Sequence, residues 1–260
     1  MTTTGSRVAV VTGASTGIGE ATARALAAAD WRCVLVARRR ELLERVADEI
    51  DGVAEPCDLL DRDATTALGE RLVAEHGSLG LLVNNAGALS RGTLEEVDLD
   101  ELERVVRLNY LAGVWMTRSL LPALLRAGET GGAHVVNVAS VSGVVAFPAG
   151  AAYSASKHAQ VAFSRSLRAA LRTTGVRVHT ILPGFVATEG FPHPRFWEGR
   201  LGRRFVVGPD RVAAAILTAI ERDKAEVTVP WFPYGLGPIA QAIVPTLTAR
   251  VVAFDSYRRT

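Results

Sequence analysis

Short runs of β-branched and other apolar residues alternate along the chain with longer stretches in which apolar positions recur every three or four residues. Arg7 to Thr12, Cys33 to Ala37, Leu81 to Asn84, His134 to Ala139, Arg177 to Leu182 and Glu226 to Val229 have the length and composition of strands. They are nearly continuous in apolar residues, the pattern of strands buried on both faces. Helical periodicity runs through Gly17 to Ala29, Leu99 to Leu125, Ala151 to Arg172 and Pro209 to Arg222, the last opening on a proline. This alternation predicts an α/β fold with a doubly wound, mostly parallel sheet and helices on both faces. No linker, repeat or low-complexity tract divides the 260 residues, so one domain spanning 1–260 is expected. In such a sheet ligands bind beyond the carboxyl ends of the strands. The loops after Thr12, Ala37, Asn84, Ala139 and Leu182 meet there, and they carry the unusual residues.

Composition removes several function classes. Apolar residues make up 48% and charged residues 22%, an ordinary balance for a soluble globular chain. The 29 basic residues are scattered among 27 acidic ones for a net charge of +2, which offers nucleic acid no basic face. Cys33 and Cys57 sit in apolar stretches and read as reduced core residues. None of His76, His134, His158, His179 or His193 has a metal-like partner three or four residues away, so no metal is expected. Met1 to Arg7 shows no signal peptide, which points to the cytoplasm. Leu236 to Leu247 is interrupted by Gly237, Pro238, Gln241 and Pro245 and falls short of the ~20 apolar residues of a spanning helix. The apolar segment 231–260, with Trp231, Phe232, Tyr234, Ile239 and Ile243, is expected to be covered. A second subunit of a homodimer or homotetramer, the substrate pocket, or a membrane surface contacted peripherally could each cover it.

Directly after the first strand comes Thr12-Gly13-Ala14-Ser15-Thr16-Gly17-Ile18-Gly19, followed by a helix. Glycines here permit a tight turn, close approach of the backbone to a pyrophosphate and close helix-to-strand packing, while the helix start supplies N–H groups. The spacing is Gly-x-x-x-Gly-x-Gly. Asn84-Asn85-Ala86-Gly87 follows another strand, Asn109 lies in the long helix, Ser140 follows a strand, Tyr153-x-x-x-Lys157 lies on a helix, and Pro183-Gly184 precedes Thr188. In this order, from about Val8 to Thr188, the chain resembles the short-chain dehydrogenase/reductase family. The resemblance implies a Rossmann-like fold, a nicotinamide dinucleotide cofactor and oxidoreduction of a carbonyl or secondary alcohol. It implies that Asp58 and Leu59 flank the adenine, that Asn85, Ala86 and Gly87 lie along the cofactor with Asn85 at the adenine ribose, and that Val186 and Thr188 reach the nicotinamide carboxamide. Asp58 and Thr188 could equally be helix caps.

At the end of the second strand an NAD enzyme would carry an acidic residue for the ribose 2′-hydroxyl, but the chain reads Val36-Ala37-Arg38-Arg39-Arg40. A guanidinium presents a planar fork of donors to a phosphate, so Arg38, with Arg39 as second candidate, favours NADP(H) over NAD(H). Arg40 reads as a solvated charge opening the next helix.

Hydride transfer to a carbonyl leaves negative charge on oxygen, which a proton donor must neutralise. Tyr153 fits that need, because Lys157 at i+4 lies on the same helix face and a nearby cation favours phenolate. The chain has only two lysines, Lys157 and Lys224, against 27 arginines. With four tyrosines, about 0.03 Tyr-x-x-x-Lys pairs are expected in a shuffled chain of this composition. By the resemblance Ser140 donates to the same oxygen, with Ser142 as runner-up, and Asn109 helps hold a water linking the lysine to solvent. Asn109 is a poor helix former and predicts a local bend; otherwise it is a surface polar residue.

Residues 184–208 are rich in aromatics and prolines and have the character of a lid. Phe185 and Phe191, with Ser142, Val144 and Phe147, predict a mostly apolar pocket for a hydrophobic carbonyl or alcohol. Two other readings are a catalytically silent NADPH-binding regulatory protein of the same fold and a reductase resting on a membrane by its C-terminal segment.

Overall fold

A computed structural model of the protein describes residues 7–147, 150–189 and 206–254. The chain opens β1 (Val8–Thr12), α1 (Gly17–Ala27), β2 (Arg32–Ala37), α2 (Arg40–Glu49), β3 (Val53–Pro56), α3 (Arg62–His76) and β4 (Leu81–Asn84). It continues with α4 (Leu99–Val106), a π turn (Arg107–Leu111), α5 (Ala112–Thr130), β5 (Ala133–Val138), α6 (Ala151–Ala170) and β6 (Val176–Pro183). After the short β7 (Phe185–Val186) and β8 (Val206–Val207) come α7 (Pro209–Glu221), β9 (Glu226–Val229), α8 (Trp231–Tyr234), α9 (Gly237–Ile243) and α10 (Pro245–Phe254).

Seven strands form one parallel sheet in the order β3-β2-β1-β4-β5-β6-β9. Its two faces account for the continuous apolar strands. Ala9 and Val11 of β1 enter a core with Leu26 of α1, Leu43 of α2 and Ile216 of α7, whereas Val10 between them enters the opposite core with Leu72 of α3 and Leu120 and Leu124 of α5. Successive side chains of a strand point to opposite faces, and here both faces are dry.

Six of the sheet strands lie where the sequence pattern sets them, within a residue at most ends. β3 does not announce itself: Val53-Ala54-Glu55-Pro56 is a four-residue edge strand, where proline and a charged side chain are tolerated. The start of α3 is set by Asp61, whose carboxylate accepts from Ala64 N at 2.9 Å. The helix expected over Leu99 to Leu125 is divided by the π turn, which carries Asn109 at its centre, and α5 then runs on to Thr130. A residue that competes with the backbone for hydrogen bonds thus sits where the helical repeat is locally widened.

The C-terminal segment folds into the short helices α8, α9 and α10, and on this single chain it is not fully buried. Trp231 is 62%, Ile239 56% and Ile243 73% exposed. Among the described residues no helix is long and apolar enough to cross a membrane.

Candidate active site

A cleft of about 630 Å³ opens at the carboxyl ends of the strands, where the strand order reverses between β1 and β4. The glycine loop builds its floor. Gly13 and Gly17 adopt φ of 66° and 61°, and a Cβ on Gly19 would stand 2.1 Å from the Gly13 carbonyl oxygen. No side chain fits at Gly19 without moving backbone, so this face of α1 lies directly on the loop. Thr12 then fixes the loop after β4: its hydroxyl donates to Val83 O at 3.2 Å and accepts from Asn85 N at 3.0 Å and Ala86 N at 3.1 Å. The result is a shallow cradle of Gly13, Ser15, Thr16, Gly17 and Ile18 at the start of α1, facing Asn85, Ala86 and Gly87.

Charge enters the cleft from the end of β2. Arg38 and Arg39 are both exposed and both line it. Arg39 lies over the glycine loop, its guanidinium donating to Thr16 Oγ1 at 2.7 Å and Ser15 Oγ at 3.3 Å, while Arg40 turns away to Glu44 at 3.1 Å. The sequence ranks Arg38 first; the hydrogen bonds single out Arg39 as the guanidinium already held beside the cradle. Asp58 and Leu59 line the same end. Asp58 does not cap α3: its Oδ1 accepts from Leu60 N at 3.1 Å, and Asp61 is the cap. Asn85, expected at the adenine ribose, lines the cleft with its Nδ2 donating to the carbonyls of Thr12 at 3.0 Å and Gly13 at 3.2 Å. Only its oxygen side remains for a ligand.

On the other side of the cleft α6 is pressed against the turn that follows β5. A Cβ on Gly143 would meet Lys157 O at 2.7 Å and Val161 at 2.8 Å, so the turn Val141–Gly143 lies directly on the helix that carries Tyr153 and Lys157. Ser140, 6% exposed, ends up at the cleft wall with its hydroxyl donating to Pro183 O at 3.4 Å and accepting from Ser142 N at 3.1 Å. Lys157 is 4% exposed, and its Nζ lies 5.8 Å from the centre of the Tyr153 ring. The ammonium donates to Val138 O at 3.1 Å and Gln160 Oε1 at 3.0 Å. Burial away from water disfavours the charged form and pushes the lysine down to about 7.

Asn109 is buried. Its Oδ1 accepts from Ala88 N at 2.7 Å and its Nδ2 donates to Ala88 O and Ser156 Oγ, each at 3.0 Å. Its side chain therefore ties the π turn to the loop after β4 and to α6 rather than standing at the surface. A buried polar chain that the linear pattern hides does similar work across the sheet. Asn84 Nδ2 donates to Thr117 Oγ1 and Asn137 Oδ1, Asn137 Nδ2 donates to Ser164 Oγ, and Ser164 meets the Thr180 hydroxyl at 2.7 Å. It joins β4, α5, β5, α6 and β6 and thereby fixes the helix bearing Tyr153 against the sheet. The one signal in sequence was asparagine inside otherwise apolar strands.

Pro183, Gly184, Phe185, Val186 and Thr188 line the cleft after β6, and Thr188 is packed beside Gly17 of the glycine loop. Ser142 and Phe147 line it too. Val144 does not; it packs with Ala139, Val141, Val161 and Leu182 because the turn after Ser140 directs it into that small cluster. Phe191 and most of the 184–208 segment, residues 190–205, lie outside the described residues. From the C-terminal segment Tyr234 reaches the site's edge, 6.1 Å between ring centres from Phe185 and in close contact with Gly184. Beside it an apolar groove of about 370 Å³ shares Val141 and Phe147 with the cleft. The C-terminal segment thus lies next to the pocket.

Two histidines far apart in sequence meet on adjacent strands at the other end of the sheet: His134 Nδ1 and His179 Nε2 are 3.0 Å apart, and His179 Nδ1 is 2.8 Å from Lys224 O. Burial, with His179 adding to it, pushes His134 down to about 4. Among the described residues no group of three or more His, Cys, Asp or Glu side chains could hold a metal.

Residues 7–197 match the profile of the short chain dehydrogenase family. The 1-deoxy-11-beta-hydroxypentalenate dehydrogenase of Streptomyces exfoliatus is 37% identical over 228 residues, covering 84% of this chain and 81% of that protein. A metagenomic short-chain oxidoreductase solved in complex with NADP superposes with a TM-score of 0.71 at 33% identity, over 86% of this chain and 96% of that one. The 3-ketoacyl-(acyl-carrier-protein) reductase of Brucella melitensis, solved with NADH, gives a TM-score of 0.78 at 28% identity, over 85% and 96%. With a parallel doubly wound sheet, the glycine cradle at its switch point and Tyr153-x-x-x-Lys157 in the facing wall, the chain belongs to the short-chain dehydrogenase/reductase family of oxidoreductases.

Proposed function

We propose that the protein transfers a hydride between NADP(H) and a carbonyl or secondary alcohol of a hydrophobic small molecule, with Tyr153 as proton donor and acceptor. The observation that carries this reading is the buried Lys157 ammonium beside the Tyr153 ring, in the wall opposite the glycine cradle.

The cleft fits a nicotinamide dinucleotide on its own features. The cradle is closed so tightly at Gly19 that a methyl group cannot enter, and close approach of backbone N–H groups is what a pyrophosphate requires. Its volume is within the ~300–1,000 Å³ of ligand sites. When bound, the nicotinamide supplies or takes up the hydride. Tyr153 gives its phenolic proton to the substrate oxygen in reduction and removes it in oxidation. Lys157 lowers the cost of the phenolate by placing positive charge near it. Ser140 adds a second donor to the same oxygen when its single O–H turns from Pro183 O, 3.4 Å away, while the Ser142 N–H keeps the hydroxyl oxygen in place. Both Nδ2 hydrogens of Asn109 are taken by Ala88 O and Ser156 Oγ and its Oδ1 accepts from Ala88 N, so a water linking the lysine to solvent would be held by the second Oδ1 lone pair or by the backbone that the π turn loosens. Arg39, with Arg38 beside it, supports a 2′-phosphate over a bare hydroxyl, since no acidic side chain ends β2. Phe147 and Phe185 support an apolar substrate.

The test is NADPH and NADH oxidation against a panel of carbonyl compounds. NADPH should be preferred, and Tyr153→Phe should lose about 10²–10⁴ in turnover while still binding NADPH. Arg39→Ala should weaken NADPH binding about tenfold or more and leave NADH nearly unchanged. Equal affinity for both cofactors, or full turnover in Tyr153→Phe, overturns the reading.

A further inference from the structure

Gln160 follows Lys157 by three residues and Tyr153 by seven on α6, so the three share one face of the helix. It is 3% exposed, and its Oε1 accepts from the Lys157 ammonium at 3.0 Å. A primary amide taken from water into this wall costs free energy unless it is bonded, and for packing alone an apolar side chain would serve better. The bond it makes has a geometric consequence. Of the three N–H groups of Lys157, one is held by Val138 O of β5 at 3.1 Å and one by Gln160, which leaves a single N–H for the reaction side.

The chemistry of the anchor matters as much as its place. A carboxylate at the same point would pair with the ammonium and cancel much of its field at Tyr153, whereas an amide oxygen orients the charge and leaves it uncompensated. The surrounding elements bring no other charge among the described residues. β5 offers the Val138 carbonyl, the loop after β4 offers Gly87, the π turn offers the uncharged Asn109, and the titratable group facing Lys157 is Tyr153.

We propose that Gln160 is a positioning residue: its amide oxygen anchors the Lys157 ammonium against β5 so that one N–H and the positive charge serve Tyr153. The assignment rests on the reading of Tyr153 and Lys157 as the proton-transfer pair.

The composition supplies a direct probe. Lys157 and Lys224 are the only lysines, so protein labelled with ¹³C at lysine Cε gives two resonances, and the midpoint of Lys157 can be followed by NMR without any turnover. Gln160→Met keeps the length and removes the acceptor; the Lys157 midpoint should fall by about one pH unit, the scale of a lost hydrogen bond to a charged group, with Lys224 unmoved. In the same variant kcat should fall about tenfold with little change in the carbonyl KM, and the pH–rate profile should move to the alkaline side by about one unit. Gln160→Glu retains an oxygen at the position and should raise the Lys157 midpoint instead. If Gln160→Met does not fold, the Glu variant is judged by the same two readouts. A Lys157 midpoint that does not move, or moves the same way in both variants, overturns the proposal. So does a midpoint that moves while the pH–rate profile stays put. Failure of the functional reading looks different: wild-type protein turns over no carbonyl and Tyr153→Phe changes nothing, while the lysine midpoint still decides whether Gln160 holds Lys157.

Discussion

Lys157→Met should make the cofactor-free protein more stable at neutral and acidic pH while removing its turnover. The wild-type lysine is 4% exposed and meets two neutral oxygens and no carboxylate among the described residues. Burial takes it from the ordinary 10.5 to about 7. The unfolded chain therefore holds a proton between pH 7 and 10.5 that the folded chain has released, so wild-type stability rises as pH climbs through that window. Below pH 7 the whole penalty is present, about 5 kcal/mol at about 1.36 kcal/mol per pH unit. Methionine fills the same channel without charge but leaves Val138 O and Gln160 Oε1 without their donor, which costs about 1–3 kcal/mol each, about 2–6 kcal/mol together. At pH 6 the relief of that penalty outweighs the lost bonds over most of this range, for a net gain of up to about 3 kcal/mol, or up to about 12 °C in Tm at about 2–4 °C per kcal/mol for a chain near this length. Thermal melts of both proteins from pH 6 to pH 10.5 check it. The gain should shrink as pH rises and reverse near pH 10.5, where only the lost hydrogen bonds remain. A difference in Tm that stays constant across that range refutes the reasoning.

Gly19→Ala should abolish NADPH binding, measured by fluorescence titration, and cost about 1–3 kcal/mol in urea unfolding, because its methyl would stand 2.1 Å from Gly13 O and 2.6 Å from Asn85 Nδ2. His134 is neutral in the folded protein down to about 4, so unfolded chains bind more protons from pH 6.5 downwards and stability is lost across that interval; His134→Leu should make the acid limb of a Tm-against-pH curve shallower. Light scattering at micromolar concentration should give a homodimer or homotetramer, since Trp231, Phe232 and Ile243 are each more than 60% exposed on the single chain. A monomer removes that reading.

What the sequence by itself determined was whatever depends on neighbours in the chain. Apolar runs gave six of the seven strands of the parallel sheet, the edge strand β3 excepted, and glycines spaced Gly-x-x-x-Gly-x-Gly after the first strand marked the cradle. An improbable Tyr-x-x-x-Lys pair in a chain of arginines marked the facing wall. These signals are local because φ/ψ limits, helical spacing and strand period are local. The tertiary structure alone decided which polar atoms are already taken. Asn85 turned out to spend its amide on Thr12 and Gly13, and Asn109 on Ala88 and Ser156. Arg39 rather than Arg38 is bonded over the cradle, and Gln160 holds the lysine. Each of these pairings except the last joins residues at least 20 positions apart. Even the last needs burial to matter: in water an amide and an ammonium three residues apart would exchange solvent freely, and only the dry wall between α6 and β5 makes the bond decide where the charge points.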